Sequence, residues 1–436
     1  MSSSTSSGNC GNSASSRSSR SNAGTSRIDR RALVRRHNPK VAKMDPFSSF
    51  AVGNGEFAFN ADVTGLQTFP ENYREMPLCT MSQWGWHTTP PPPGLDPSQF
   101  RYKEYDTYGR PVPYLTERRG QEELYHYLRQ NPHRLHLGRI GFILLKRDGR
   151  EAEAADVEQI DQELDLWTGV LHSRFAVEGL PVAVETAADP EFDAVAVRVH
   201  SPLVAEGRLA VRIAFPYGSP EMHAADWDSP GKHETRLSQP APAEALFERR
   251  LDDDRYVVRL GWEPGGRIEQ EGKHAFVLRP SGGGEVFSFV ASFAPGHPSL
   301  LPAAEVIARS EKHWERFWSE GGAVELADSK DPRAWELERR VVLSQFLTAV
   351  HCAGSKPPQE SGLVCNSWYG KPHLEMHWWH AIHFPLWGRA HLFERSLGWY
   401  RQVLPIAKEN ARRQGYAGAR WPKMVGPDGT DSPSPI

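Results

Sequence analysis

The residues best able to do chemistry are concentrated in one short stretch of the sequence, residues 366–387. This stretch contains four tryptophans, four histidines and Glu375. Indole rings stack on the flat C–H faces of ligands, whereas imidazole, carboxylate and ammonium groups form hydrogen bonds with hydroxyls. A sugar presents both kinds of surface, so the composition of this stretch is typical of a carbohydrate-binding site.

Two other interpretations account for the same residues. His373 and His377 are four positions apart and share a helix face, as zinc ligands often do, but Glu375 lies off that face and the H-E-x-x-H arrangement is missing. Alternatively, the tryptophans fill a helix–helix core and the histidines bond to backbone carbonyls. The packing interpretation stays open beside the sugar site, and we predict no metal and no other cofactor.

A second candidate cluster lies in residues 418–431, in a loop that follows a helical pattern. It contains Arg420, Trp421 and Lys423 and then Asp428 and Asp431. The basic and aromatic residues repeat the chemistry of the first cluster. The two aspartates are acidic candidates, with the role of ordinary turn residues as the alternative.

Most of the first 300 residues show the alternation of short β-strands. Residues 50–59 form two apolar runs around Asn54-Gly55, which predicts a hairpin. Alternating runs of about five residues recur between residues 166 and 291, separated by Gly, Pro and Asp turns, and this pattern is typical of a large antiparallel sandwich. Two long loops, residues 84–93 and 102–114, are rich in aromatic residues and proline, and we expect them to cover a site.

Near residue 301 the apolar period changes from 2 to 3.6. Helices are predicted for residues 303–320, 331–352, 374–392 with a break near Pro385, and 393–413 with a kink at Pro405. Nine of the 14 tryptophans lie in this helical part. The tryptophans predicted to form its core are Trp314, Trp318 and Trp335.

The patterns divide the 436 residues into four parts. Twelve serines lie in the first 26 positions, and such a segment cannot bury enough apolar surface to fold, so residues 1–40 are predicted to be a disordered Ser/Arg-rich tail. Residues 41–300 are predicted to form the sandwich, residues 301–330 a linker helix, and residues 331–436 the first helical hairpins of a second domain.

Composition excludes several classes of protein. The 51 basic and 54 acidic residues leave a net charge of -3, so the chain is not a polycation directed at nucleic acid. Four scattered cysteines do not make a disulfide framework, and no apolar stretch approaches the ~18 residues of a membrane helix. The start of the sequence lacks the apolar core of a secretory signal. We therefore expect a saccharide partner, and no nucleic-acid or membrane partner.

Taken together and in order, these motifs resemble the six-hairpin, or (α/α)6, glycosidases that carry an N-terminal β-supersandwich. Residues 371–379, with the sequence Lys-Pro-His-Leu-Glu-Met-His-Trp-Trp, are similar to the motif N-I-N-x-[QE]-M-N-Y-W of the family 95 α-L-fucosidases. Lys371, His373 and His377 stand at its three asparagine positions. Residues 418–422 are similar to the G-A-R-[FY]-P-W loop of glycoside hydrolase family 65, with Lys423 in place of the final tryptophan. The Gly-Asn-Gly of residues 53–55 also matches these enzymes.

The resemblance implies a supersandwich, a linker helix and the start of an incomplete (α/α)6 barrel. It also implies inverting cleavage of a glycosidic bond in an oligo- or polysaccharide, with one carboxylic acid protonating the leaving oxygen and a base acting on the opposite face. The general acid is expected in a barrel loop beyond residue 436, so this chain alone is expected to be inactive. Glu375 is then the base or, as we favour, a sugar ligand.

The resemblance and the residue types together identify the candidate substrate-binding residues. We expect Trp368, His373, Glu375 and Trp421 to converge on one cleft. The full predicted set is Trp368, Lys371, His373, His377, Trp379, Arg420, Trp421, Lys423 and Asp428. A non-catalytic carbohydrate-binding or assembly protein, and a disaccharide phosphorylase, remain alternative functions for the same residues.

Overall fold

The computed structural model describes residues 28–263 and 265–434. Strands dominate as far as Ala294, and helices follow. The strands are β1 (Lys40–Val41), β2 (Phe50–Gly53), β3 (Phe57–Ala61), β4 (Thr80–Ser82), β5 (Trp86–His87), β6 (Lys103–Asp106), β7 (Pro111–Tyr114), β8 (His133–Arg134), β9 (Arg139–Leu144), β10 (Val157–Asp165), β11 (Val170–Val177), β12 (Leu180–Ala188), β13 (Ala194–His200), β14 (Leu209–Ala214), β15 (His233–Ser238), β16 (Glu244–Leu251), β17 (Asp254–Glu263), β18 (Gly265–Gln270), β19 (Ala275–Ser281) and β20 (Val286–Ala294).

The strands form antiparallel sheets because their side chains alternate between core and solvent. The largest sheet has nine strands in the order β1-β10-β11-β12-β13-β20-β17-β16-β15, and a second has the order β18-β19-β14-β9. In β17, for example, Tyr256, Val258, Leu260 and Trp262 are buried while their neighbours along the strand are more exposed. Strands β2, β3 and β4 form a third, smaller sheet.

The predicted hairpin at residues 50–59 is confirmed as β2 and β3, and its turn contacts the helical part. The Asn54 side-chain oxygen accepts hydrogen bonds from the backbone N–H groups of Glu56 and Phe57, which closes the turn. Gly55 has a φ of 93°, and a Cβ atom there would lie 2.7 Å from the carbonyl carbon of Ala353. Only glycine fits this turn against the end of a helix.

The helices are α1 (Arg30–Arg35), α2 (Glu122–Gln130), α3 (Pro202–Ala205), α4 (Ala303–Ser319), α5 (Ala334–Cys352), α6 (His383–Leu386), α7 (Ala390–Gln402) and α8 (Leu404–Arg413). Short 3₁₀ turns occupy Pro70–Tyr73, Pro97–Gln99, Ala154–Asp156 and Ser367–Gly370, and a π-helical turn occupies His377–Ala381. The order of elements confirms the predicted sandwich, linker helix and following helices. No helix in the described ranges is long and apolar enough to cross a membrane.

One hydrophobic core extends through both parts of the molecule. It joins side chains of the nine-stranded sheet, such as Phe289, with Phe57 of the small sheet and with Trp314 and Phe346 of the helices. The Trp314 and Phe346 rings are stacked with their centroids 4.3 Å apart. Burial of this contact binds linker helix α4 to α5, so the helices and the sandwich share apolar packing.

The prediction of a disordered tail for residues 1–40 is wrong for its last residues, and residues 1–27 lie outside the described part. Arg30 lies in helix α1 and donates hydrogen bonds to the carbonyl groups of Trp318 and Gly321. The buried His37 bonds to Glu338 at 2.6 Å, and Lys40 begins a strand paired with β10. Long-range bonds with α4 and α5 therefore order a segment that looks polar in the sequence.

The predicted break near Pro385 and the predicted kink at Pro405 are both seen, but the bounds of the two helices differ from the prediction. The segment predicted as helix over 374–392 begins with strand-like pairing at residues 372–374, continues as a π-turn and α6, and stops at Leu386. The helix predicted for 393–413 begins earlier, at Ala390, and splits at Val403. Pro405 explains the split, because its ring has no N–H and clashes with the carbonyl four residues before it.

Trp335 is not part of the core, contrary to prediction. Its side chain is 56% exposed, whereas Trp314 and Trp318 are buried. It lies in the first turn of α5 and contacts the His37 ring at 4.5 Å. The helical period places Trp335 near the buried face of α5, but the hydrophobic core does not cover Trp335 in the first turn of this helix.

Candidate functional site

Backbone pairing brings the two candidate clusters of the sequence together. His373 forms a β-bridge with Met424, and Leu374 N–H donates to the Lys423 carbonyl at 2.8 Å. Val425 N–H donates to the Pro372 carbonyl on the other side of the bridge at 3.2 Å. Residues separated by about fifty positions thus become neighbours. This pairing is the reason that the first cluster does not begin its helix where the sequence predicts.

A cavity of about 580 Å³ opens beside this pairing. Its walls come from the β6–β7 hairpin of the sandwich, from the end of α8 and from residues 420–434. The loop predicted to cover a site, residues 102–114, therefore forms one wall as a hairpin. The side chains that define its chemistry are Tyr105, Tyr114, Asn410, Gln414, Arg420, Lys423, Asp431 and Ser432.

Aromatic and charged groups are in direct contact in this cavity. The Tyr105 and Tyr114 rings meet edge to face with centroids 5.6 Å apart. The Arg420 guanidinium lies 4.6 Å from the centre of the Tyr114 ring and donates a hydrogen bond to the Gln414 side chain. The cavity therefore combines flat apolar surface with fixed hydrogen-bond donors.

Asp431 supplies the acidic group of the cavity. Its side chain is 19% exposed, and its nearest cationic partner is Arg413 at 3.8 Å. Burial raises the pKa of Asp431 to about 6, an effect opposed by the charges of Arg413 and Arg420. Near neutral pH this carboxyl changes between a proton donor and an acceptor over a small pH range.

Glu375 lies next to the cavity through Lys423. The Lys423 ammonium, which contributes to the cavity wall, is 3.2 Å from a Glu375 carboxylate oxygen. Both side chains are exposed, so the ion pair is open to exchange with a ligand. The position fits a side chain that binds a sugar hydroxyl.

Lys371, His373 and His377 do not face a ligand, and their predicted role in substrate binding is corrected here. Lys371 is 1% exposed, and its ammonium group donates to the carbonyls of Leu128 and Asn131 and to the Ser432 hydroxyl. His373 is buried, and its Nδ1 lies 3.1 Å from the Lys371 carbonyl. These bonds hold the two residues against neighbouring segments of the chain, Ser432 of the cavity wall among them.

The His377 imidazole is held by both of its nitrogens. Nδ1 bonds to the Tyr400 hydroxyl and Nε2 to the Ser396 hydroxyl, each at 2.8 Å. Burial lowers the pKa of His377 to about 4, so the ring is neutral at ordinary pH. Among the described residues, no group of three or more His, Cys, Asp or Glu side chains is arranged to hold a metal ion.

The three candidate tryptophans occupy different surroundings. Trp368 is 45% exposed, has a φ of 50°, and lies beneath the Arg129 guanidinium at 4.7 Å and beside His373 at 6.0 Å. Trp421 packs against Tyr400, and its indole N–H is buried without a partner in the described chain. Trp379 lies within the π-turn and is exposed. Trp368, His373, Glu375 and Trp421 were expected to converge on one cleft. None of these four residues lines the cavity of about 580 Å³.

Asp428 is a turn residue, which corrects its prediction as a substrate ligand. Its carboxylate accepts hydrogen bonds from the Thr430 N–H and hydroxyl at 3.0 and 2.6 Å. The sequence analysis missed Tyr105, Tyr114, Asn410 and Gln414 as individual residues. The aromatic loop gave a signal for the two tyrosines, whereas Asn410 and Gln414 look like ordinary polar positions of a helix.

No protein-family model and no curated protein match the sequence. The fold, in contrast, matches solved structures. A putative kojibiose phosphorylase from the human microbiome aligns with a TM-score of 0.61 at 10% identity, over 91% of this chain and 52% of that chain. This chain therefore spans about half the length of the phosphorylase. The comparison confirms the predicted fold, a sandwich followed by helices.

Two further solved structures align less well. A bacterial glucoamylase complexed with acarbose has a TM-score of 0.39 at 11% identity, over 68% of this chain and 47% of that chain. A family GH92 inverting mannosidase from Bacteroides thetaiotaomicron has a TM-score of 0.31 at 8% identity, over 54% of this chain and 32% of that chain.

Proposed function

We propose that the chain binds an oligosaccharide or polysaccharide in the cavity between the β6–β7 hairpin and residues 420–434, as part of a carbohydrate-active enzyme of the glycosidase type. The observation that carries the proposal is the cavity itself, in which Tyr105 and Tyr114 lie beside Arg420, Gln414 and Asp431. The shared fold with a putative kojibiose phosphorylase supports the same class of ligand.

The side chains of the cavity match the two surfaces of a pyranose ring. A tyrosine ring packs against the apolar face of a sugar, and the guanidinium, amide and carboxyl groups bond to its hydroxyls. Arg420 is held by Tyr114 and Gln414, so little side-chain entropy is lost when a ligand binds. The cavity of about 580 Å³ is large enough for one or two sugar rings.

We infer that the reaction of the whole enzyme is inverting cleavage of a glycosidic bond. In such a reaction an acid and a base act from opposite faces of the sugar. Glu375 is assigned as a hydroxyl ligand beside the cavity, because its side chain is exposed and pairs with the exposed Lys423 of the cavity wall.

Calorimetric titration with a panel of gluco-, manno- and fuco-configured oligosaccharides, kojibiose among them, tests the proposal. We expect saturable binding of at least one member, weakened about tenfold or more in Arg420→Gln because a charged hydrogen bond to the ligand is lost. Arg401→Gln, which removes an exposed charge from α7, is the matched control. Failure of every sugar to bind, or equal binding by both variants, would contradict the proposal.

Non-catalytic binding and phosphorolysis are distinguished by the products. A sugar that binds is incubated with the chain, with and without inorganic phosphate, and released sugar and sugar phosphate are measured. Release that needs phosphate supports a phosphorylase, and release in water supports a hydrolase. Binding without release supports the non-catalytic alternative.

A further inference from the structure

A second cavity lies where the linker helix meets the sandwich and α7, and its lining is basic. Its volume is about 350 Å³, and it shares no residue with the proposed sugar cavity. Arg309, Lys312, His313 and Arg316 follow one another on one face of α4, and Arg395 faces them from α7. The remaining lining residues are Pro190 and Glu191.

The acidic groups near this cavity are already engaged. Arg309 forms ion pairs with the buried Asp189 at 2.7 Å and with Glu191 at 2.8 Å. No carboxylate of the described residues lies within ion-pair distance of Lys312, Arg316 or Arg395. The other acidic residues of the two helices near these positions, Glu311, Glu315 and Glu394, do not line the cavity.

Three cations therefore face one cavity without an ion pair to any carboxylate of the described residues, although the charge of Glu56 acts on Arg395 from beyond ion-pair distance. Lys312 and Arg316 are four residues apart on a helix, and like charges at this spacing repel one another. Arg395 is fixed in place, because its guanidinium donates to the carbonyls of Asn54 and Ala353 at 3.4 and 3.2 Å. A cluster of this kind destabilises the free protein unless an anion compensates it.

His313 adds a neutral polar group between the cations. Burial, reinforced by the charges of Arg316 and Arg395, lowers the pKa of His313 to about 4. At ordinary pH the ring thus contributes a hydrogen bond and no further charge. The charges of Asp189 and Glu191 oppose this lowering of the pKa. Arg316 of α4 and Arg395 of α7 line the same cavity as His313.

We propose that this cavity is a binding site for a phosphate group, either inorganic phosphate or a phosphate monoester. Guanidinium forks match the geometry of phosphate oxygens, and an ammonium group adds a point charge. A dianion compensates most of the charge of Lys312, Arg316 and Arg395. The cavity exceeds the size of a bare phosphate, which favours a monoester with a small organic group.

Thermal unfolding of the full chain in increasing inorganic phosphate, with sodium chloride at matched ionic strength as the reference, tests the site. We expect phosphate to raise the unfolding temperature beyond the effect of the chloride series. The double variant Lys312→Gln/Arg316→Gln is expected to bind about tenfold more weakly, since it loses two charged hydrogen bonds. Without phosphate, the same variant is expected to be at least as stable as the natural protein.

The controls separate this site from the sugar cavity and from general charge effects. Arg401→Gln/Lys408→Gln removes two exposed cations elsewhere on α7 and α8 and is expected to keep the phosphate effect.

Glucose 6-phosphate distinguishes the two ligand sources, because tighter binding than inorganic phosphate identifies a monoester site. Equal phosphate effects in the two double variants, or no effect beyond chloride, would overturn the proposal. Arg395→Gln repeats the test if the first variant does not fold, and unchanged oligosaccharide binding in these variants keeps the two proposals distinct.

Discussion

Asp431 is the residue through which pH should act on the proposed sugar site. Burial raises its pKa to about 6, so the carboxylate form is gained as the pH rises through that value. A carboxylate accepts stronger hydrogen bonds from sugar hydroxyls than a neutral carboxyl group does. We expect sugar affinity to rise several-fold between about pH 5 and about pH 7, measured by calorimetric titration.

The Asp431→Asn variant is expected to lose this rise, because its amide does not titrate. Asp428→Asn is the matched control, since Asp428 lies three positions away in an exposed turn and does not line the cavity. A pH dependence that persists in Asp431→Asn, or disappears in Asp428→Asn, would contradict the assignment of Asp431.

Lys371 predicts a second effect of pH, this time on stability. Burial lowers the pKa of Lys371 to about 7 from an ordinary value of 10.5. Between these values the unfolded chain binds more protons than the folded one, so the free energy of unfolding rises with pH, by at most about 1.4 kcal/mol per pH unit. The neutral amine of Lys371 stays hydrogen-bonded in the folded protein, because it can accept a hydrogen bond from the Ser432 hydroxyl.

The measurement is urea denaturation of the natural protein and of Lys371→Met at several pH values. The difference in the free energy of unfolding between the two should increase in favour of the natural protein from about pH 7 to about pH 10. Lys408→Met, at an exposed position of α8, should show no such trend. A difference that stays constant across this range would show that burial does not depress the pKa of Lys371.

At the scale of single residues, the sequence identifies which residue types belong to the site better than it identifies where their side chains lie. It singles out Arg420 and Lys423, which line the cavity, but also Lys371, which is buried and does not line it. All three residues stand at positions of the two family motifs. What separates them is the pairing of residues 372–374 with 423–425, a contact between distant segments that local patterns do not contain.

At the scale of elements, linker helix α4 docks on the turn between β10 and β11. The Trp318 indole donates to the Leu166 carbonyl at 2.6 Å, and the Ser310 hydroxyl donates to the Thr168 carbonyl at 3.1 Å. Gly169 ends this turn with a φ of 68°, and a Cβ atom there would lie 2.0 Å from the Trp314 ring. The turn thus has no room for a side chain.

Gly169→Ala is therefore expected to cost about 3 kcal/mol or more, as the sum of backbone strain and of overpacking against Trp314. Gly179→Ala is the matched control, because Gly179 has a similar φ of 75° and open space around its Cα atom. It should cost only the strain, about 1–2 kcal/mol. Chemical denaturation measures both, and equal losses would show that the Trp314 contact does not restrict this turn.

The element patterns also show where the sequence is informative. Alternation predicts strands such as β12 and β17 well, because successive residues along these strands differ in burial. The helix predicted for residues 374–392 fails at its start, because residues 372–374 pair with residues 423–425. Its predicted break near Pro385 is confirmed, since α6 ends at Leu386 and the Trp387 carbonyl accepts a hydrogen bond from Gly322 at 2.7 Å.

At the scale of the whole molecule, sandwich and helices build the proposed site jointly. The β6–β7 hairpin supplies Tyr105 and Tyr114, while α8 and the segment after it supply the polar groups. The buried Arg134 of β8 donates to the Ser82 carbonyl in the sandwich and to the Gly370 carbonyl in the site segment. Separation of the two parts would therefore remove the site as well as the shared core.

Arg389 offers the sharpest test of this coupling. It is buried between the linker helix and the following helices, where it donates to the carbonyls of Phe317 and Glu320 and to the Gln345 side chain. Its guanidinium also lies 4.0 Å from the centre of the Phe317 ring. Arg389→Met leaves these acceptors buried without a donor, which should cost about 2–4 kcal/mol.

We expect the natural protein to unfold in one transition and the Arg389→Met variant to unfold in two, with the helices first. Loss of the bonds from Arg389 weakens the docking of α7 on α4 and α5, but it leaves the sheets of the sandwich intact. Urea denaturation followed by helical circular dichroism and by tryptophan fluorescence should therefore give coincident curves for the natural protein and separated curves for the variant. Arg401→Met, at an exposed position of the same helix, should keep the curves coincident. Coincident curves for Arg389→Met would mean that the shared core of Trp314, Phe346 and Phe289 couples the two parts without this arginine.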